Sequence, residues 1–310
     1  MPSLSPLITA AWRDTRIDAG LAEPLSVRIH RAAEPGLTAG DGRVLARPLV
    51  LHLPGGAFIG GDLDSGLATA RLLAQSGCVV VSLDYPHAPA QPFPAALQAA
   101  AALLRWMQRA RTRLAGAGAA LLVAGEEAGA NLAAGLALWA RDQGKPLAGQ
   151  LLLSPLLDPC LATASLRAAG QGEAGCAWSR GWRAYLGDSG GDHPYAAPLH
   201  AARLGGVAPA MLVTATDDPL RDEAHRYSVA LQRAGVAARL FKLAGPTGWP
   251  MALSKLASLQ APWAAALRPA LREFLIDCLS RCPTARRSSR RASSDSSPGA
   301  CAGALAPRLA

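Results

Sequence analysis

The run Gly125-Glu126-Glu127-Ala128-Gly129 sets two adjacent carboxylates between two glycines. It follows the apolar stretch 120–124 and opens a run of helix formers, so it reads as strand, tight turn and helix with Glu127 in the middle of the turn. A carboxylate there can attack a carbonyl or accept a proton, but either step needs a second titratable group. One candidate is Asp218, in "DDPLRDEA". Two carboxylates sharing a cleft push one pKa upward, so a Glu127–Asp218 pair could hold one proton between them and work as acid and base. The plainer reading leaves Asp218 without a catalytic task. His87 follows a strand signal in a proline-rich loop and reads as a solvated loop histidine. Trp249 and Phe58 read as wall and core.

The elements that must position these groups are legible as short apolar runs. Strand signals fall at 25–31, 47–53, 78–83, 119–124, 150–154, 211–216 and 238–243. Runs such as "VVVSL" and "LLL" are apolar throughout, as in strands buried on both faces. Helical patterns lie between them at 66–75, 95–111, 129–142, 223–234 and 252–279. Such alternation predicts an α/β fold, a mostly parallel central sheet flanked by helices. The stretch 160–199 breaks the alternation and reads as an insertion over the strand ends.

Composition bounds the class. The 310 residues are 50% hydrophobic and 17% charged, enough for one large domain with a sizeable core. No run reaches the ~18 apolar residues of a membrane-spanning helix. The first twenty residues lack the basic start and long apolar core of a signal peptide, so a cytoplasmic protein is expected. Six cysteines are scattered without CxxC or Cys/His spacing; reduced thiols, no metal and no cofactor are the expectation. Residues 281–310 carry six arginines against Asp295, so +5 of the net +9 sits in a Ser-, Ala- and Pro-rich stretch without an apolar period. It is expected to be a disordered, solvated tail rather than a nucleic-acid arm. The domain is therefore expected to span 1–280, with cap elements at 1–24 and about 160–199.

Four stretches, in order, resemble the hormone-sensitive-lipase-like branch of the α/β-hydrolase fold, which includes bacterial esterases. "LPGGAFIGGDLDS" (53–65) is similar to the family's H-G-G-G-F followed by G-D. "DYPHAPAQPFPAA" (84–96) is similar to D-Y-R-L-A-P-E-x-x-F-P-A-A, and "GEEAGANLA" (125–133) to G-D-S-A-G-G-N-L-A. "DDPLRDEA" (217–224) is similar to D-P-L-R-D-E-G around the acid of the triad. The resemblance implies a G-x-S-x-G elbow carrying the nucleophile, with backbone N–H groups beside it to receive an oxyanion. It maps Glu127 onto the serine, Asp218 onto the acid, Thr247 of "GPTGW" onto the histidine, and Gly55, Gly56 and Ala128 onto the oxyanion hole. Pro54 and Ala57 replace the outer residues of H-G-G-G. A second G-x-S-x-G, "GDSGG" (187–191), has no strand entering and no helix leaving, so Ser189 is set aside as a nucleophile.

A glutamate at the elbow cannot become an alkoxide, and Thr247 is no base near neutral pH. Attack by Glu127 would give an anhydride that still needs an activated water. The expected function is accordingly an esterase-related protein with a degenerate triad that binds a small apolar ligand or a protein. The fold's plant hormone receptors imply that this scaffold can bind without hydrolysing. The alternatives are an active carboxylic-ester hydrolase and a lyase or dehydratase using Glu127 and Asp218.

Overall fold

The computed structural model describes residues 11–31, 36–170, 172–187 and 193–281. Ser189 and the tail from 282 onward lie outside the described residues. Eight strands form one sheet: β1 (Ala11–Ile17), β2 (Leu25–Arg31), β3 (Leu49–Leu53), β4 (Val79–Leu83), β5 (Leu121–Glu126), β6 (Gly149–Leu153), β7 (Ala210–Ala215) and β8 (Ala238–Leu243). Their order is β1-β2-β4-β3-β5-β6-β7-β8. β1 and β2 pair antiparallel, β2 pairs antiparallel with β4, and every pair beyond is parallel. Strands β3 to β7 are buried at every residue, which explains their largely apolar sequences.

Among the described residues there are seven α-helices: α1 (Leu67–Gln75), α2 (Ala95–Ala115), α3 (Ala128–Asp142), α4 (Ala164–Ala169), α5 (Glu173–Leu186), α6 (Arg221–Arg233) and α7 (Pro262–Arg281). Two apolar clusters result. One gathers α2 and α3 with residues of α5; the other gathers α1 and α7. Helices α4 and α5 lie within the expected insertion at 160–199, and α5 supplies Trp178 and Trp182 to the larger cluster.

Two expectations need correction. Residues 11–17, expected within a cap element at 1–24, are the first strand of the sheet. Of residues 12–17 in this edge strand, Ile17 alone is buried, so "AWRDTRI" carries no apolar run to betray it. It is held partly by Arg28 of β2, whose guanidinium pairs with Asp14 at 2.6 Å and with Asp64 at 2.6 Å. The helical pattern at 252–279 is also not one helix. Two short 3-10 turns, Met251–Ser254 and Leu256–Gln260, precede α7. Pro262 opens α7 at its first position, where a missing N–H costs nothing.

Candidate active site

Strand β5 ends at Glu126 and helix α3 begins at Ala128, so Glu127 alone makes the turn. Its backbone sits at φ 52°, ψ −118°, a conformation that non-glycine residues avoid. The surroundings hold it there. Its N–H donates to the Leu153 carbonyl at 3.0 Å, and its carbonyl accepts from Leu156 N–H at 3.1 Å, tying the turn to the end of β6. The flanking glycines are needed for close approach: a Cβ on Gly125 would lie 2.3 Å from the Gly129 carbonyl oxygen, and one on Gly129 would lie 2.0 Å from that of Leu53. This is the strand–turn–helix elbow expected from the spacing of Gly125 and Gly129.

The loop after β3 faces the turn. Gly56 has φ 139° and Ala57 has φ 52°, which turn successive N–H groups inward. Glu127 Oε2 accepts from Gly56 N at 2.5 Å and from Ala57 N at 2.9 Å. Its Oε1 accepts from Trp178 Nε1 of α5 at 2.5 Å. The side chain at the tip of the elbow therefore fills the anion-binding nest beside it. Of the three residues assigned to that nest, only Gly56 donates to Glu127. Gly55 N–H goes instead to Glu126 Oε1 at 3.2 Å, and the second backbone donor to Glu127 is Ala57. Helix α5 closes over this loop through Gly181, where a Cβ would lie 1.9 Å from the Ala57 carbonyl oxygen. Phe58 stacks on Tyr185 with ring centroids 4.2 Å apart and is core, as read from the sequence.

Glu126 points the other way. Its Oε2 meets His52 Nε2 at 2.8 Å, and His52 Nδ1 meets Ser82 Oγ at 2.9 Å. This Ser–His–Glu chain is buried throughout, with Ser82 at 1% and His52 at 0% exposure, so no substrate reaches its hydroxyl. It anchors the elbow to β3 and β4.

The residues assigned as acid and base lie apart from each other in their bonding. Asp218 is wholly buried. Its carboxylate accepts from Ser154 Oγ at 2.9 Å, Thr214 Oγ1 at 2.7 Å and Leu220 N at 2.9 Å. Burial raises its pKa. Thr247 bonds to the neighbouring Asp217 instead: its N–H reaches Oδ2 at 2.6 Å and its hydroxyl reaches Oδ1 at 2.9 Å. Gly248 N–H adds a third bond to Asp217 at 2.9 Å, and these donors hold the Asp217 carboxyl below the usual carboxylate range against the opposing effect of burial. A Glu127–Asp218 pair sharing one proton is not formed, because Glu127 and Asp218 each satisfy other donors. His87 packs edge-on to Tyr85 at 5.2 Å, and Tyr85 donates to the Pro54 carbonyl at 2.7 Å. Trp249 packs edge-on to Trp263 in the α7 cluster and is core.

Above Glu127 lies a cavity of about 410 Å³, within the range of small-molecule sites. Its walls include Ile59, Ala177, Trp178, Met251 and Leu253; Glu126 and Glu127 supply the acidic lining. Sequence reading found Glu127 and the glycines but missed Ala57, Trp178 and Asp217. Trp178 lies 51 residues from Glu127 and no local spacing marks it. Away from the cavity, ligand atoms of Asp158, Cys160 and His200, which no local spacing in the sequence marks, lie within 4.8 Å of one another. There Asp158 accepts from His200 Nε2 at 3.2 Å and from Cys160 N at 2.9 Å.

Residues 50–247 match the family model for the α/β hydrolase fold. The chain is 38% identical over 198 residues to esterase LipI of Mycobacterium tuberculosis, a match spanning 61% of each protein, so it covers about three-fifths of that relative's length. It is 28% identical over 238 residues to the gibberellin receptor GID1 of Oryza sativa subsp. japonica, covering 68% of this chain and 67% of the receptor. Among solved structures it superposes on esterase LipW from Mycobacterium marinum with a TM-score of 0.71 and 33% identity, over 88% of this chain and 83% of that one. The family model spans more than half of the chain, and the chain belongs to the α/β-hydrolase-fold family, among proteins related to carboxylesterases.

Proposed function

We propose that this protein is a binding member of its esterase-related family, holding a small apolar ligand in the cavity above Glu127 with negligible ester hydrolysis. The observation that carries this reading is the Glu127 carboxylate on the N–H groups of Gly56 and Ala57. Hydrolysis of an ester through a tetrahedral intermediate needs those donors free at the moment the carbonyl oxygen becomes negative. It also needs a hydroxyl at the elbow and a base to take its proton. The elbow offers a carboxylate, and the position mapped to the base carries Thr247, bonded to Asp217. The receptor among the relatives supports binding as a role for this scaffold. Among the described residues no helix is long and apolar enough to cross a membrane. We place the protein in the cytoplasm.

The competing reading, an active carboxylic-ester hydrolase, draws support from relatives such as LipI and LipW, both esterases by name. One assay separates the two. With p-nitrophenyl acetate and butyrate, the binding reading predicts release at the buffer rate. It also predicts that Glu127→Ser alone stays close to that rate for want of a base. Ready turnover by the unmodified protein, abolished in Glu127→Gln, would make Glu127 a catalytic group and overturn the binding reading.

A further inference from the structure

We infer that the cavity above Glu127 selects small hydrophobic ammonium ions and rejects carboxylates, a selection that rests on the binding reading above. The family's elbow is built to receive negative charge: inward-turned N–H groups and a helix N-terminus attract an anion. Here that attraction is already satisfied from within. Glu127 Oε2 takes the N–H groups of Gly56 and Ala57, and Oε1 takes the indole N–H of Trp178. A ligand carboxylate would have to displace Glu127 from three donors or lie against it with like charge, and both are unfavourable.

A cation meets the opposite circumstances. A carboxylate offers about four acceptor positions, and Glu127 has three donors, so one position remains for a ligand N–H. Glu127 lines the cavity although only 5% of its surface is exposed, so the remaining acceptor looks into a site already largely removed from water. No lysine, arginine or histidine is among the described residues that line the cavity, so no protein cation competes for that position. The other acidic lining residue, Glu126, is occupied by His52 and Gly55 N–H. Above the charge the walls are aliphatic, and Trp178 adds an aromatic ring beside the carboxylate, a partner that favours organic cations. An ammonium head with a short alkyl or aryl body matches this arrangement in charge, depth and polarity.

The test uses three ligands of nearly equal shape: benzylammonium, benzyl alcohol and benzoate, titrated calorimetrically at neutral pH into the unmodified protein and into Glu127→Gln. Benzylammonium is expected to bind at least tenfold more tightly than benzyl alcohol, and benzoate most weakly. In Glu127→Gln, which keeps an acceptor oxygen and the side-chain length, the advantage of benzylammonium over benzyl alcohol should vanish. Glu127→Ala, which frees the Gly56 and Ala57 donors, should gain affinity for benzoate; unchanged benzoate affinity in a folded Glu127→Ala protein counts against the inference. Equal binding of the amine and the alcohol, stronger binding of benzoate, or an amine preference that survives Glu127→Gln would overturn it while leaving a binding protein. Failure of all three ligands to bind the unmodified protein would remove both the inference and the binding reading.

Discussion

The two sides of the site, at the ends of β3 and β5 and at the ends of β7 and β8, are held together in different ways. On the first side the backbone frame is complete: an elbow at φ 52°, glycines in close contact, and a loop that aims two N–H groups at one point. The group at the focus is the Glu127 carboxylate. On the second side the frame is also intact, but its carboxylates look elsewhere. Asp218 is enclosed by Ser154, Thr214 and Leu220, and Asp217 is enclosed by Thr247 and Gly248. A frame of backbone contacts is fixed by sterics and survives a change of side chain. A proton relay depends on the side chains themselves, and here Asp218 and Asp217 are each held by local donors.

The comparison makes the elbow frame the less forgiving side. Gly129→Ala would force a methyl to 2.0 Å from the Leu53 carbonyl oxygen, where only backbone can yield. We expect a loss of more than about 4 kcal/mol and a melting temperature lower by over ~10 °C, measured by calorimetry. A melting temperature within a few degrees of the unmodified protein would show that the elbow is looser than described.

On the other side, Asp218→Ala strips the acceptor from two hydroxyls and a backbone N–H in a fully buried place. The expected cost is about 2–4 kcal/mol, or roughly 5–10 °C in melting temperature. A structural Asp218 predicts this loss with no change in ligand affinity. A change in affinity without a loss of stability would return Asp218 to the site.

The smallest effect is a pH dependence on the same side. Glu223 of α6 is buried and accepts from Leu157 N at 2.5 Å and Asp158 N at 2.9 Å, yet burial pushes its pKa from 4.5 to about 8. Between those values the folded state holds a proton that the unfolded state releases, so this group's stabilisation is full below pH 4.5 and is lost as pH rises through about 8. Relative to Glu223→Gln, the unmodified protein should lose a few degrees of melting temperature (about 2–5 °C) between pH 5 and pH 8. Parallel melting curves for the two proteins across that range would contradict it.

How much of this was legible varies with the kind of signal. The buried parallel strands announced themselves through runs such as "VVVSL", because burial on both faces removes the alternation of apolar and polar positions. β1 was silent, because an edge strand whose residues 12–16 all lie outside the core looks like loop. The break before α7 was misread because 3-10 turns keep a helix-like spacing of apolar residues. At the site, Glu127 stood out because the glycines around it fix the backbone. The choice between Asp217 and Asp218 as the neighbour of Thr247 did not, since adjacent residues after a strand point in different directions and only tertiary contacts decide which faces where. Nor did Trp178, whose bond to Glu127 joins distant parts of the chain.

The central claim is that the Glu127 carboxylate occupies the oxyanion nest, and the amide protons of Gly56 and Ala57 report on it most directly. Hydrogen bonds to a carboxylate at 2.5 and 2.9 Å deshield the donated protons strongly. In a nitrogen–proton correlation spectrum both amides should lie far downfield in the unmodified protein. They should move upfield in Glu127→Ala and partway upfield in Glu127→Gln. Amides at ordinary shifts that do not respond to either substitution would mean that the nest is free and the glutamate lies elsewhere.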